Sequence, residues 1–108
     1  MPGVCRTEAA NALQLSASIA AVKPLRYTPA GLPALDLQLE HGSRQPELGG
    51  LRTVQLVISA VAFGAVAERL AVQAIGSVWS FKGFIANASH AGRQGKSVVF
   101  HIQEFVQD

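Results

Sequence analysis

Between Leu35 and Glu40 apolar and polar residues alternate without a break: Leu35, Leu37 and Leu39 against Asp36, Gln38 and Glu40. In an extended chain successive side chains point to opposite faces, so a period of two places the leucines on one side and the hydrophilic groups on the other. The segment is a strand with one buried and one wet face, and such a strand needs neighbours to bury its apolar side. Four more segments supply them. Leu13, Leu15, Ala17, Ile19 and Ala21 alternate with Gln14, Ser16, Ser18 and Ala20, which argues for a first strand against the helical preference of alanine; Pro24 ends or edges it. Leu51–Ala62 is rich in Val, Leu and Ile and reads as a strand after the Leu35–Glu40 one. Trp79–Ile85 and Ser97–Ile102 are the last two, joined by a basic, glycine-containing loop, Asn87–Lys96.

The connections carry their own signals. Tyr27-Thr28-Pro29-Ala30-Gly31-Leu32-Pro33 is a turn cluster, and Gly42–Gly50, with Ser43, Pro46 and a Gly-Gly pair, reads as a loop long enough for function or mobility. Phe63–Val72 holds Ala65, Ala67, Glu68, Arg69 and Leu70, which fits a short helix stopped by Gly76. Five strands with a helical link between the third and fourth match the order of an all-β, five-stranded OB-fold Greek-key barrel. Closure removes the sheet edges that five such apolar strands would otherwise expose. An open, sandwich-like sheet is the alternative, and pattern alone does not separate the two.

With 108 residues the chain is one domain: a flexible tail over residues 1–10 and the barrel over 11–108. Almost half its residues are hydrophobic and 15% are charged, which excludes general disorder and points to self-association, expected as a homodimer. Cys5 is the only cysteine, so an internal disulfide is excluded and a reducing, cytoplasmic compartment fits. The apolar-leaning stretch Ala9–Val22 is interrupted by Gln14, Ser16 and Ser18 and lacks a basic start. Neither a signal peptide nor a membrane span is expected.

A net charge of +2 is a mild bias, so placement matters more than the total. From Val72 to Phe100 no acid occurs, while Lys82, Arg93 and Lys96 do. The same region holds Trp79 and three of the five phenylalanines, Phe81, Phe84 and Phe100. Rings on a sheet face beside a cationic loop are what single-stranded nucleic acid needs, since bases stack and phosphates seek cations. Trp79 and Phe81 share one strand face, with Phe84 on the other unless Gly83 marks a bulge. Each ring has two uses, as a stacking platform or as barrel packing. Lys82 points away from Phe81 toward solvent. Arg93 and Lys96 flank glycines where the backbone can follow an irregular strand. Arg26, Arg44 and Arg52 are further candidate phosphate contacts, though Arg52 has Glu40 or Glu47 as cross-strand partners. Tyr27 is a turn anchor or a base contact.

Enzymatic chemistry finds no carrier. His41, His90, His101 and Cys5 have no metal-ligand spacing, so neither a metal nor another cofactor is expected. Asp36 and Glu40 share a face without a pocket signal, and nothing aligns a Ser-His-Asp set. Phosphate-loop and dinucleotide patterns do not occur.

Asn11-Ala12-Leu13 through Ile19, Pro29-Ala30-Gly31-Leu32-Pro33, Leu39-Glu40-His41, Gly83-Phe84-Ile85 and Phe100-His101-Ile102 occur in that order and spacing. From Asn11 to Val106 the chain resembles the primosomal replication protein N (PriB) family. The resemblance implies a homodimeric OB-fold protein that binds single-stranded DNA without catalysing a reaction. It also implies contact with the restart helicase and with the helicase-loading protein of the replication-restart primosome. Carried over by position, the family's basic residue after the first strand falls on Arg26 and its basic loop on His90–Lys96. That loop is less basic here, with Ser89 and Ala91 at positions where the family can carry lysines, leaving Arg93 and Lys96. The family's stacking tryptophan falls on Gln55, and its basic residue after Leu-Glu-His on Gly42, with Arg44 two places on. Two functional readings follow: a single-stranded DNA-binding component of the primosome, or a protein–protein adaptor that docks a helicase and binds DNA weakly.

Overall fold

The computed structural model describes the backbone of residues 9–90 and 93–108, and side chains over 9–88 and 97–108. The tail expected over residues 1–10 therefore lies almost wholly outside the described residues. β1 (Leu13–Val22), β2 (Arg26–Tyr27), β3 (Pro33–Glu47), β4 (Gly50–Phe63), α1 (Ala65–Ala71), β5 (Val78–His90) and β6 (Arg93–Gln107) follow one another along the chain. The sheet runs β1-β5-β6-β4-β3-β2, and pairing of β1 with β3 closes five of these strands into a barrel. All pairings are antiparallel except β4 with β6, where Ser59–Ala62 lie beside Val99–Ile102 in parallel. This is the expected OB-fold, and the open sheet is excluded.

Alternation sets the inside. Ala17 and Ile19 from β1, Leu35, Leu37 and Leu39 from β3, Ala60 and Ala62 from β4, Phe81 from β5, and Phe100, Ile102 and Phe105 from β6 form one buried cluster. Burying each of the larger of these side chains contributes ~1.5–3 kcal/mol. α1 covers an end of the barrel with Ala67 and Leu70, both fully buried. The helix is the one expected within Phe63–Val72, entered through Gly64 at φ 71°.

Two expected loops are strands. Gly42–Glu47 continues β3 and pairs with Gly50–Gln55 as far as Glu47 opposite Gly50, so the connection is only Leu48-Gly49, both at positive φ. Pro46 and Ser43 read as loop residues, but the neighbouring Leu51–Leu56 strand supplies a ladder that composition did not reveal. Likewise β5 runs to His90 and β6 starts at Arg93, with Ser89 opposite Gln94 and His90 opposite Arg93. Of the basic loop expected over Asn87–Lys96, residues 87–90 and 93–96 are paired strand with a register shift between Asn87 and Ser89, and residues 91–92 lie outside the described residues. Both ribbons project beyond the closed barrel.

A second irregularity lies between Lys82 and Gly83: Lys82 pairs with Glu104 and Gly83 with Ile102, so the extra residue is Gln103 on β6 and β5 itself is not bulged at Gly83. Gly83 is required there: a Cβ would fall on the His101 carbonyl and lie 3.1 Å from the Phe100 ring. Phe84 keeps the plain alternation of β5 and lies on the face opposite Phe81, beside His101. The Thr28–Leu32 turn is real, closed by Gly31 N–H to the Thr28 carbonyl at 2.8 Å with Gly31 at φ 88°.

Candidate nucleic-acid interface

Strand parity decides which of the expected contact residues can meet a ligand. Phe81 cannot: it is fully buried, its ring stacked near Phe105 at 6.3 Å between centroids. Trp79 lies on the same face, packed against the core and edge-on to Phe105 at 5.0 Å, with its indole N–H donating to the Ser77 hydroxyl at 2.9 Å. Their position on the inner face of β5 puts Phe81 wholly inside the barrel and packs Trp79, which stays half-buried, against the core. Arg69 covers the other side of this group, its guanidinium 4.7 Å from the Phe105 ring centre.

The cations divide among several surfaces. Arg26 sits on the exterior beside Asp36; its Nε and Nη2 donate to the two carboxylate oxygens at 2.6 and 3.2 Å. The guanidinium holds the Asp36 carboxyl below its ordinary range, against a smaller opposing effect of burial, and the carboxylate in turn raises Arg26. Arg44 and Arg52 point to opposite faces of the β3–β4 ribbon, because Arg44 is paired with Thr53 and Arg52 with Gln45. Arg52 meets Glu47 at 3.6 Å, the structural partnership foreseen for it. Lys82 meets Glu104 at 3.6 Å, its direct neighbour on β6. The acid-free span is thus acid-free only along the chain; the fold brings a carboxylate to Lys82 from a strand outside it. The side chains of Arg93 and Lys96 lie outside the described residues, and their backbone belongs to the start of β6.

Apart from Arg26 and Phe84, the residues that the structure does bring together were not singled out as contacts by sequence reasoning. Across the exterior of β3, β4 and β6 runs a trough. Lys23, Arg26 and Asp36 form one side of it, Val61 and Ser59 line the β4 stretch, and Val99 and Ala88 belong to the foot of the β5–β6 ribbon. Its upper part is a groove of ≈ 450 Å³ bounded also by Phe63 and His101. Among the described residues no ion pair involves Lys23 or Arg44. Next to the groove Phe84, His101 and Phe63 stand side by side on the outer surface. Lys23 follows β1 and Phe63 closes β4, so each looked like punctuation between elements. The signal is parity: Phe63 lies in register with Ala34, which shares the outward face of β3 with Asp36, although Ala34 itself is covered. Among the described residues no cluster of His, Cys, Asp and Glu is arranged to hold a metal ion.

A five-stranded OB barrel with an open exterior trough and two projecting ribbons is the architecture of single-strand-binding proteins. Residues 11–104 match the model of a family described as "another single-strand binding protein family". The chain belongs to the replication restart protein PriB branch of these non-enzymatic proteins. It is 43% identical over 94 residues to replication restart protein PriB of Bordetella pertussis, covering 87% of this chain and 85% of that one. It is 39% identical over 95 residues to the PriB of Neisseria meningitidis serogroup B, covering 88% and 94%. The solved PriB of Ralstonia solanacearum superposes with a TM-score of 0.81 at 34% identity, over 92% of this chain and 98% of that one. The single-stranded DNA-binding protein of Thermus aquaticus shares the fold at a TM-score of 0.70 and 23% identity, over 90% of this chain and 49% of that one.

Proposed function

We propose that this chain binds single-stranded DNA in the trough, as a non-enzymatic component of the replication-restart primosome. The observation that carries the reading is the trough itself: a concave, part-apolar exterior path flanked by Lys23 and Arg26, in a chain of the PriB family. Single strands need a cationic track and apolar surface for bases, with little hydrogen-bond readout, and the trough offers both. Arg44 and, on the β5–β6 ribbon, Arg93 and Lys96 extend the track. Arg26, Arg52 and Lys82 contribute less free charge, since each is shared with a carboxylate. Fluorescence anisotropy of a labelled dT oligonucleotide across a salt series tests the reading. The logarithm of the association constant should fall by ~0.7 per neutralised phosphate per log unit of salt. A folded protein that leaves the oligonucleotide free at low salt would refute it.

The protein acts as a homodimer in this reading. β1 pairs with β5 over Leu13–Ser18 but with β3 only from Ser18 onward, which leaves one edge of Leu13–Ala17 open apart from the His41 ring at the Ser16 carbonyl. An open strand edge favours pairing with a second copy. Sedimentation equilibrium at micromolar concentration should give twice the mass of one chain; a monomer would reject the assignment.

One observation favours the adaptor reading alongside this one. Leu51 and Val57 are exposed on the β3–β4 ribbon, on the face that also carries Arg44. An apolar face flanked by a cation suits a protein partner, and the restart helicase and the helicase-loading protein are the candidates. Pull-down of the helicase by the wild-type protein and by Val57→Glu, compared with oligonucleotide affinity, separates the two roles. Equal helicase capture by both would remove this ribbon face from the partner interface.

A further inference from the structure

Three aromatic rings on neighbouring strands are kept out of the core. Phe84 on β5 and His101 on β6 are direct cross-strand partners, their ring centres 4.8 Å apart and their planes 11° from parallel. Phe63 at the end of β4 continues the row, 6.3 Å from His101 and 29° from parallel. Ala34 pairs with Phe63 on one side and with Arg26 on the other, so the row points across the strands toward Arg26. Phe81, Phe100 and Phe105 are at most 3% exposed, whereas Phe63 is 42% exposed. The barrel thus had apolar positions for its phenylalanines and leaves this one in water. Phe63 and His101 also bound the upper groove, whose volume of ≈ 450 Å³ lies in the range of small-ligand clefts.

We infer that the Phe84–His101–Phe63 row is a base-stacking subsite, with an unpaired nucleobase extending the stack at the Phe63 end. The inference rests on the single-stranded DNA reading and adds to it the residues that receive a base. A flat ring is the ligand that continues a near-parallel stack with least rearrangement, and every nucleobase offers one. Charge favours a nucleotide over an apolar peptide side chain. Lys23 and Arg26 lie at the same groove, where the phosphates on either side of a stacked base would run. Arg26 is fixed in orientation by its two bonds to Asp36, which leaves Lys23 as the freer charge.

The test compares a dT oligonucleotide with one of equal length whose bases are replaced by abasic sites, on wild type, Phe63→Leu and Phe63→Trp. Leucine keeps apolar bulk and removes the ring; tryptophan keeps a ring. Circular dichroism and the melting temperature confirm that each variant folds. Phe63→Leu should weaken dT binding by about 5- to 150-fold, the range that follows from removing one base-stacking ring. Phe63→Trp should hold wild-type affinity, and the abasic oligonucleotide should bind wild type and Phe63→Leu equally. If wild type binds dT and Phe63→Leu binds it as tightly, the subsite is wrong while the functional reading stands. Equal losses on both oligonucleotides would also overturn it, because the ring would then be acting on the fold or the phosphates. A wild-type protein that binds neither oligonucleotide overturns both.

Discussion

Gly83→Ala tests how closely β5 packs on β6. A methyl group on Gly83 would meet the His101 carbonyl oxygen head-on and lie 2.9 Å from its carbon and 3.1 Å from the Phe100 Cε1. Two of these three atoms are backbone of a central strand, which pairs with β5 on one side and β4 on the other. No side-chain rotation relieves the contact; β6 must move relative to β5, and the fully buried Phe100 must move with it. Overpacking a tight core costs ~1–3 kcal/mol where side chains can yield. Here the backbone must yield, so at least the upper end, about 3 kcal/mol, is expected. For a domain of this size that corresponds to a fall in melting temperature of more than ~10 °C, from ~4–8 °C per kcal/mol. Urea unfolding followed by circular dichroism measures it, with Gly42→Ala as control. Around Gly42 the nearest atom to a built Cβ is a carbonyl oxygen at 4.0 Å, an ordinary contact. The control should be neutral or stabilising by about 0.4–1 kcal/mol through the unfolded chain. Equal stability of the two variants would refute the close approach of β5 to β6 at Gly83.

Three further substitutions probe other parts. Phe81→Ala should cost ~3–5 kcal/mol in chemical denaturation, as expected of a buried ring; a loss of DNA affinity without loss of stability would return Phe81 to the binding surface. Leu48 holds φ 51° in the two-residue β3–β4 turn while fully exposed, so Leu48→Asn should stabilise by ~1 kcal/mol, read as a higher urea midpoint; no gain would argue against that turn. Asp36→Asn should release Arg26 and tighten dT binding in the anisotropy assay at a stability cost of at most ~1 kcal/mol, the ion pair being partly exposed; weaker binding would show that Asp36 orients Arg26 for DNA. The Asp36 carboxyl is held below its ordinary range when folded, so its contribution is present above the unfolded value of about 4. It is lost as pH falls through the lower folded value, and the Asp36→Asn variant should lack that part of the acid dependence.

The barrel was legible because its signal is local and repeated. Leu35, Leu37 and Leu39 all point inward as their alternation required, and Phe84 falls on the face opposite Phe81 as the alternation of β5 required. The ribbons were not legible. Ser43, Pro46 and Gly50 have loop composition, and only the partner strand, distant in sequence, turns them into a ladder. The site was legible in part for a related reason. Charge along the chain located Lys82 in an acid-free span, but Glu104 reaches it across a strand pair. Rings were visible as a class, yet parity on the closed sheet decided their use: Trp79 and Phe81 went to the inside, while Phe63 and Phe84 stayed out. His101 gained Phe84 through the antiparallel β5–β6 pairing and Phe63 through the parallel β4–β6 pairing, neither of which is visible in the local pattern.

The central claim is that single-stranded DNA lies in the exterior trough between β2 and the β5–β6 ribbon. Titrating ¹⁵N-labelled protein with an unlabelled dT oligonucleotide and mapping the amide shifts tests it most directly. The largest changes should fall on Lys23, Arg26, Val61, Phe63, Val99 and His101, with little effect at Gln14 and Ser16 on the far side of the barrel. Shifts concentrated on β1 around Gln14, or on the α1 side, with the trough amides unmoved, would contradict it.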